Sequence, residues 1–503
     1  MSVFPARRES IAEDPVQRTR SSGVTRSVRT AIVFLIVWWS CIPPSVCAPR
    51  EAHAKDLGDI LVEKGIITPA ELQEARQAEQ EQKAEAEAAQ RAAAESKLPK
   101  WVRVFTPFGD VRLRHEGFYQ QDRSARNRFR FRARIGVSAN VSDEASATLR
   151  FANGDGDDPI STNQSFGDTF TRKSINLDWA YLTLTPGRTF HIDPGWIAVT
   201  AGKFGVNSYR LSELVWDDDV SPEGATETLN VVEQREGFLR GLRVNAFQWV
   251  IDEVSDGGDP WMPGGQIVAE AALGTTANWT VAVADYYFDR FNAVARRSLN
   301  PYNDPPTNSK ANSNYNGSLA NSNSVVKDNN GKIVGYKSGF NVLTVATELS
   351  APDPLGVGIP AGLFGEVAYN TRAEGRNVGV YVGAGIGDAG RDWYHARLAN
   401  PGDWGLSYTY IWVEKDAVLS LFSASDINEF STAPATAGAA RPSQKGATNL
   451  SAHLLRLDYV LLPNLQLTAK GFLENVLDRK LSNAPLTGNP TLLRTQLDAT
   501  VKF

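Results

Sequence analysis

The chain has 503 residues, a formal net charge of −5 and a hydrophobic fraction of 42%. With a mean hydropathy of −0.29 it is too polar for a bundle of membrane-spanning helices, and without a basic low-complexity tail it gives no reason to expect a nucleic-acid partner. Its length fits a large barrel with an appendage, and 12 Trp and 41 Gly suit a β-rich envelope protein with aromatic girdles.

Residues 1–54 are predicted to be a signal peptide. Several arginines precede the apolar run 31–39, which is far shorter than the roughly 18 apolar residues that a spanning helix needs. We expect cleavage after Ala54, which closes an A-x-A site, with cleavage after Ala48 as the alternative. Cleavage after Ala54 would remove both cysteines of the chain, which suits an exported protein that uses neither disulfides nor thiol chemistry.

Residues 55–100 are predicted to form a periplasmic helical segment. Thr68 followed by Pro69 is a typical helix start. Residues 71–95 are nearly all Ala, Glu, Gln, Arg and Lys, which are strong helix formers but give no large apolar stripe. We expect a solvated helix or, alternatively, an alanine-rich coiled coil that joins subunits. A structural tether, in which the helix 69–97 reaches the cell wall, is therefore a second functional hypothesis.

Residues 101–503 are predicted to form a transmembrane antiparallel β-barrel, because strand patterns alternate with short and long connections. The short turns are expected at 140–143, 185–187, 274–276, 352–354 and 463–464. The long loops are expected at 153–172, 205–222, 252–263, 288–337, 371–377, 416–446 and 478–488. This alternation favours about 16 strands. About 18 is the alternative, because residues 391–400 fit either an enlarged periplasmic turn or a further strand.

A ladder of basic residues follows the first strand. Arginines occupy five alternate positions with apolar residues between them: Arg126, Arg128, Arg130, Arg132 and Arg134. An Arg facing lipid at the bilayer midplane costs about 2–4 kcal/mol, so the five are expected to face the water-filled lumen. Arg112, Arg114 and Arg150 on the neighbouring strands are expected to extend this pore lining. The alternative is an exposed basic strand that binds a polyanion.

An acidic loop follows the fifth predicted strand. It carries Glu213, Asp217, Asp218, Asp219 and Glu223. If residues 205–224 fold into the barrel, carboxylates opposite arginines would form a constriction with a transverse field that favours hydrophilic solutes. The apolar residues of the loop would then pack against the wall: Leu211, Leu214, Val215 and Trp216. A solvated surface loop is the alternative.

The last strand alternates without interruption. Its apolar or small face carries Leu493, Thr495, Leu497, Ala499, Val501 and Phe503, and polar residues lie between them. A period of two places these sets on opposite faces. This pattern favours a closing strand that pairs with the first one, because an open edge in lipid leaves backbone groups unsatisfied. An amphipathic strand of a soluble sandwich is the alternative.

No stretch of the chain carries a recognisable catalytic or metal-binding motif. The sequence contains no G-x-S-x-G, no P-loop and no metal-ligand spacing of histidines. We therefore expect no catalytic residues, no metal and no cofactor. An enzyme built on a barrel remains a third hypothesis, which would need a Ser/His or Asp/His pair at the barrel rim.

Three stretches resemble the bacterial outer-membrane putative porin family: residues 127–186, 202–224 and 400–420, including DPISTNQ and LVWDDDVSPEG. The resemblance extends over most of residues 101–503. It implies a homotrimeric channel in the bacterial outer membrane, in contact with the lipid bilayer and lipopolysaccharide, through which small hydrophilic solutes and ions diffuse passively. The chain departs from the family pattern around residues 389–398 and in the Asn-rich loop.

Overall fold

The computed structural model describes residue 64 and residues 104–299, 321–431, 443–444, 446–481 and 491–503. Within these ranges it does not describe residues 122, 157, 194, 235, 255–257, 275, 390, 391, 397 and 428. The signal peptide and almost all of the helical segment 55–100 thus lie outside the described residues, and both remain predictions.

The described chain is dominated by 16 long β-strands. They are β1 (Phe105–Gln120), β2 (Arg126–Ser142), β3 (Ala145–Asn153), β4 (Ile175–Leu184), β5 (Ile197–Lys203), β6 (Glu223–Glu233), β7 (Leu239–Val250), β8 (Trp261–Leu273), β9 (Ala277–Phe288), β10 (Phe340–Ala351), β11 (Ala361–Asn370), β12 (Val378–Gly387), β13 (Trp404–Val413), β14 (Leu450–Leu462), β15 (Leu465–Val476) and β16 (Thr491–Lys502).

These strands close into one antiparallel barrel. Each strand pairs with the next along the chain, and β16 pairs with β1 from Asp110↔Lys502 to Gln120↔Leu492. At the seam, the backbones of Gly109 and Phe503 exchange hydrogen bonds of 2.8 and 3.0 Å. A Cβ at Gly109 would lie 2.8 Å from the ring of Phe503, so glycine leaves room for the terminal aromatic. The predicted 16-stranded barrel is confirmed, and the 18-stranded alternative is wrong.

The connections divide the barrel into two ends. The turn side holds the first residue of β1, Phe503 and the shorter connections, among them 143–144, 274–276 and 463–464. The connections 185–196 and 352–360 also lie on this side and are longer than the short turns predicted there, and the connection 388–403 lies on this side as well. The first of them contains the short helix α1 (Gly187–Phe190).

The loop side holds the longer connections. These include 154–174, 204–222, 251–260, 289–339 and 414–449, and the helix α2 (Asn292–Ser298) lies in the fourth of them. In the first, Gln164–Ser165 pairs with β2 beside the short strand β3. Among the described residues, no helix is both long enough and apolar enough to cross a membrane.

The two faces of the barrel differ as a period of two requires. On β14, for example, Leu455, Leu457 and Tyr459 are about half exposed on the outer face, whereas Arg456 and Asp458 between them are buried. The interior also holds an apolar region. Phe247, Trp249, Tyr286, Phe340, Phe364 and Tyr381, on strands β7 to β12, are buried there. One half of the interior is therefore charged, and the opposite half is aromatic.

Candidate functional site

Residues 204–222, which we call the inner loop, fold into the barrel after β5. Ser212 Oγ donates a hydrogen bond of 2.5 Å to Glu366 on β11. The Asp217 backbone N–H donates one of 2.7 Å to the carbonyl of Phe422 in the connection 414–449. Because these partners belong to distant parts of the barrel wall and to another loop-side connection, the inner loop crosses the interior.

Apolar side chains fix the inner loop to the aromatic half of the interior. Leu211, Leu214, Val215 and Trp216 are all buried. The ring of Trp216 lies 5.2 Å from that of Trp249, 5.5 Å from that of Tyr286 and 5.7 Å from that of Phe422. Offset and edge-on aromatic contacts of this kind stabilise beyond the area that they bury. The loop therefore packs against β7 and β9, across the interior from the arginines.

Asp219 is the carboxylate of the inner loop that meets the arginine ladder. Its Oδ1 lies 3.5 Å from Arg132 and 3.3 Å from Arg134. Its Oδ2 accepts hydrogen bonds of 3.0 and 3.1 Å from the backbone and side chain of Thr162. Burial would raise the pKa of Asp219, but the two arginines outweigh burial and lower that pKa to about 2. The contact therefore joins an ionised carboxylate to two guanidinium groups.

Asp218 lies in a different environment from Asp219. Its Oδ1 pairs with Arg210 at 3.0 Å and with the imidazole of His395 at 3.4 Å. Although its position inside the barrel opposes ionisation, the Asp218 side chain is 45% exposed to the turn-side cavity, and these two cations hold the pKa of its carboxyl group well below its usual range.

Asp217 and Glu213 are buried without an ion pair within the described part of the chain. Asp217 accepts backbone hydrogen bonds from Asp219 and Ser425, at 2.8 and 2.7 Å. Glu213 accepts one of 3.3 Å from the hydroxyl of Tyr394. Burial raises the pKa of both carboxyl groups, and neighbouring carboxylates add to the effect. These two acids therefore hold the loop to its neighbours and contribute less negative charge.

Glu223 is separate from this group. It opens β6, its side chain is 63% exposed, and it pairs with Lys203 at 2.9 Å on the adjacent strand. The five carboxylates of the acidic motif thus occupy several environments, of which the one at Asp219 contacts the ladder.

The connection 388–403, which we call the turn-side insert, enters the interior from the opposite end through its described residues 392–396. Trp393 is almost fully buried and donates a hydrogen bond of 3.0 Å to Ser350. A Cβ at Gly362 or Gly385 would overlap its indole ring, so these glycines form the space that holds Trp393. The carboxylate of Glu348 accepts hydrogen bonds of 2.6 and 3.1 Å from the backbone N–H groups of Asp392 and Trp393. The insert is therefore fixed to β10, β11 and β12.

The turn-side insert also contacts the inner loop. Tyr394 and His395 reach Glu213 and Asp218, respectively. His395 Nδ1 lies 2.6 Å from Asp392 on the insert itself, and Arg456 on β14 donates hydrogen bonds to the carbonyls of Tyr394 and His395. Sequence reasoning left this segment open between a turn and a strand. The structure places it in a connection that supports the inner loop from the turn side.

The arginine ladder is matched by carboxylates that the sequence analysis did not single out. Arg114 binds Asp498 through two hydrogen bonds of 2.7 Å. Asp110 lies 2.9 Å from Arg132 and 2.6 Å from Arg134. Asp110 on β1 is two residues from Arg112, and Asp498 on β16 is four residues from Arg494. Because an even spacing places two residues of a strand on the same face, the sequence contained a signal that these carboxylates face inward with the arginines.

Glu116 is the most enclosed of these carboxylates. Its side chain is fully buried and accepts hydrogen bonds from Arg128 and from Arg494 on β16, the latter at 2.9 Å. Arg130 lies 3.8 Å away. Arg126 and Arg128 also pair with Glu429 of the connection 414–449, at 2.9 and 3.1 Å. The loop-side half of the ladder is thus neutralised by β1 and by a second inward connection.

Arg150 continues the charged wall on β3. It pairs with Asp178 on β4 at 2.6 Å, and its guanidinium lies 3.1 Å from the ring centroid of Trp179. A cation over an aromatic face is attracted by the ring quadrupole. The guanidinium of Arg150 is thus held flat against the wall.

Two cavities lie on either side of the Asp219 contact. The turn-side cavity, about 560 Å³, is lined by Arg112, Arg132, Arg134, Arg150, Arg210, Arg456, Lys470 and Lys502, with the carboxylates Asp218 and Asp498. The loop-side cavity, about 470 Å³, is lined by Asp155, Asp158, Asp178, Asp219, Glu223, Asp252 and Glu253, with Lys203. The charge of the lining therefore reverses from acidic to basic across the inner loop.

No group of three or more His, Cys, Asp or Glu side chains in the described part of the chain is arranged to hold a metal ion. The expected absence of a cofactor remains a prediction.

Comparisons with known proteins identify the family. A comparison with curated proteins gives no match. The chain is similar to OprB of Pseudomonas putida at high pH, with 13% identity, 80% of this chain and 94% of that chain covered, and a TM-score of 0.45. It is also similar to OmpF of Salmonella typhi in complex with daunomycin, with 10% identity, 79% of this chain and 97% of that chain covered, and a TM-score of 0.41. A third similar structure is the outer membrane channel DcaP of Acinetobacter baumannii, with 11% identity, 79% of this chain and 97% of that chain covered, and a TM-score of 0.36.

A family model described as putative porin matches residues 118–432, which is more than half of the chain. The chain therefore belongs to the putative porin family and is an outer-membrane porin.

Proposed function

We propose that solutes crossing this porin pass through a constriction formed where Asp219 of the inner loop meets Arg132 and Arg134. The observation that carries the proposal is the position of this contact. Asp219 lines the loop-side cavity, whereas its two partners line the turn-side cavity. A solute that moves between the two cavities must pass beside these three charges.

The arrangement of charge supports passive diffusion of small hydrophilic solutes and ions. Fixed opposite charges across a narrow, poorly screened opening orient water, and an apolar solute would have to displace that oriented water. The arginines that we assign to the pore lining are Arg112, Arg114, Arg126, Arg128, Arg130, Arg132, Arg134 and Arg150. Of these, Arg112, Arg132, Arg134 and Arg150 line the turn-side cavity, so we expect anions to be favoured on that side of the constriction. Transport is passive, and no chemical step is assigned.

The aromatic half of the interior gives the constriction its second wall. Trp216 and the residues around it fill the space along β7 to β9, so the inner loop is held toward the arginine ladder. We assign to Glu213 and Asp217 the role of holding the inner loop in place. We assign to Asp218 and Asp219 the role of supplying negative charge to the electric field across the constriction.

We further propose that the loop side faces the exterior, that the turn side faces the periplasm and that the barrel forms a homotrimer. The trimer rests on the family resemblance, and the exposed apolar outer face around Phe129, Phe166 and Ile135 offers one surface for subunit contact or lipid. Native mass spectrometry of the protein in detergent tests the trimer. A monomeric species alone would contradict it.

Planar-bilayer recordings of the purified full chain test the pathway. In a KCl gradient, the double variant Arg132→Ser/Arg134→Ser should shift the reversal potential toward cation selectivity relative to the wild-type protein. Arg188→Ser is a matched control, because Arg188 is 77% exposed on the turn side and pairs with Asp143. If the wild-type protein conducts but the double variant leaves the reversal potential unchanged, the constriction is elsewhere. If the wild-type protein does not conduct, the channel proposal itself fails.

A further inference from the structure

Arg112 on β1 lies directly opposite another arginine, Arg132 on β2, and opposite Thr500 on β16. Arg114 likewise faces Arg130, but Arg114 has carboxylate partners in Asp498 and Asp426. Like charges opposite one another on neighbouring strands destabilise a sheet. In a folded protein, a feature that opposes stability in this way is often located at a functional site.

The carboxylates near Arg112 are engaged by other arginines. Asp498 accepts both of its strong hydrogen bonds from Arg114, and Asp110 pairs with Arg132 and Arg134. Within the described residues Arg112 forms no ion pair. One of its terminal nitrogens donates a hydrogen bond of 2.6 Å to the Asn163 side chain, and its Nε is shielded from solvent without a hydrogen-bond partner.

Arg112 is partly buried, and a guanidinium partly removed from water with a shielded, unused donor and no ion-pair partner is destabilising, because such charged groups need both a partner and hydrogen bonds. Arg112 faces the turn-side cavity, which has room for a small solute at about 560 Å³. The other cations of that cavity that lie near it, Arg132, Arg134 and Arg150, already have carboxylate partners. The excess positive charge is therefore concentrated at Arg112.

Polar groups surround the rest of the cavity. Its lining includes the hydroxyls and amides of Thr183, Thr200, Asn207, Gln466, Thr468 and Thr500. Such groups can exchange hydrogen bonds with hydroxyl groups of a solute, and the guanidinium fork matches the geometry of a carboxylate or phosphate. The combination fits a molecule that carries one oxyanion on a hydroxylated body.

We propose that the turn-side cavity is a binding site for small hydroxylated oxyanions, such as sugar acids and sugar phosphates, with Arg112 as the primary contact. The inference rests on the proposed function, because it places this site on the path of the diffusing solute. The solute anion supplies the counter-charge that the fold withholds from Arg112. Binding slows the passage of such a solute and raises its occupancy of the channel at low concentration.

Current interruption in planar bilayers tests the site. Gluconate, inorganic phosphate and glucose are added separately to the wild-type channel in a constant KCl background, and the half-blocking concentration of each is measured. Gluconate should interrupt the current at much lower concentration than glucose, which has a similar size and no charge. Block by gluconate alone indicates a carboxylate site with a hydroxylated body, and additional block by phosphate indicates a site for oxyanions in general. Both results support the proposal.

Arg112→Gln should raise the half-blocking concentration of gluconate at least about tenfold, which corresponds to about 1.4 kcal/mol. Arg112→Lys keeps the charge and should retain part of the block. Arg372→Gln is the matched control, because Arg372 contacts Tyr287 and Asn370 outside both cavities. KCl conductance of each variant shows that it is folded.

The proposal is overturned if glucose blocks as strongly as gluconate, or if Arg112→Gln leaves the gluconate block unchanged in a conducting channel. Either result would leave the proposed channel intact. A wild-type protein that conducts no KCl would instead contradict the proposed function itself.

Discussion

The imidazole Nε2 of His395 lies 3.4 Å from Asp218 Oδ1, and this ion pair joins the turn-side insert to the inner loop. Asp392 holds the other ring nitrogen at 2.6 Å. Arg210 faces the same Asp218 carboxylate, and Arg456 binds the backbone of the insert beside the ring. Burial would lower the pKa of His395, but the two carboxylates outweigh burial and raise it to about 9.

We expect the contact between the two segments to weaken at alkaline pH. Because the pKa of His395 is raised in the folded state, the stabilisation from its charge is complete below its ordinary value of 6.5 and is lost as pH rises through about 9. Open-channel current noise should therefore increase between about pH 8 and pH 10. His395→Gln should remove this step and show the noisier currents at pH 7 as well.

His453→Gln is the matched control for this prediction. His453 lies at an exposed position of β14, where its ring contacts Tyr408 rather than the inner loop. A step that persists in His395→Gln, or that disappears in His453→Gln, would assign the pH dependence to other groups.

The barrel could be predicted because its pattern is local. Alternation along β16 and the ladder on β2 each indicate which face of one strand meets water, and a strand needs only its own residues to show this. The resulting strand count depended on a single uncertain segment, residues 391–400. That segment was ambiguous because the space for Trp393 is created by Gly362 and Gly385, which belong to other strands.

The ion pairs of the interior could not be predicted in the same way. Arg114 forms an ion pair with Asp498, which lies near the other end of the sequence, and Arg126 forms one with Glu429 in a loop-side connection. Such partners depend on barrel closure and on which loops fold inward, and neither leaves a periodic pattern. The sequence predicted that the inner loop folds inward and that Trp216 packs against the wall, but it did not identify the partners of Trp216, which are Trp249 on β7 and Tyr286 on β9.

Neutralising Glu116 should destabilise the barrel strongly. Glu116→Gln removes the carboxylate that the fully buried Arg494 shares with Arg128, and it leaves them with Asp426 and Glu429, at 3.3 and 3.1 Å, as their remaining partners. Removing one partner of a buried ion pair costs up to about 3–5 kcal/mol, because the charge that remains is less well compensated. Urea unfolding of the protein in detergent, followed by tryptophan fluorescence, should show this loss in the free energy of unfolding.

Asp143→Asn provides the comparison for Glu116→Gln. Asp143 and Arg188 are about three-quarters exposed, and an exposed pair is worth about 0–1 kcal/mol. Equal losses of stability in the two variants would mean that the Glu116 cluster is not a central element of the fold.

Truncating Trp393 should release the turn-side insert. Trp393→Ala removes a buried indole from the space beside Gly362 and Gly385, and such a truncation costs about 3–5 kcal/mol. The insert then loses its anchor on β10 to β12, so single-channel conductance should rise and proteases should cleave within 388–403. Trp196→Ala is the control, since Trp196 is 43% exposed in another turn-side connection. Unchanged conductance and protection would show that the insert is held by its hydrogen bonds alone.

Removing the charge of Asp219 should make the channel more selective for anions. Asp219→Asn keeps the side chain's size and its hydrogen bond from Thr162 but leaves Arg132 and Arg134 without their counter-charge from the inner loop. Because the pKa of Asp219 is lowered to about 2, the carboxylate is charged at any ordinary pH, and the change should be seen at pH 7. The reversal potential in a KCl gradient should move toward that of chloride.

Glu223→Gln is the matched control, because it makes the same change of charge away from the arginines. The Glu223 side chain is 63% exposed and pairs with Lys203, so the variant should leave the reversal potential nearly unchanged. Equal shifts in the two variants would mean that selectivity depends on the total charge of the loop-side cavity and not on the Asp219 contact.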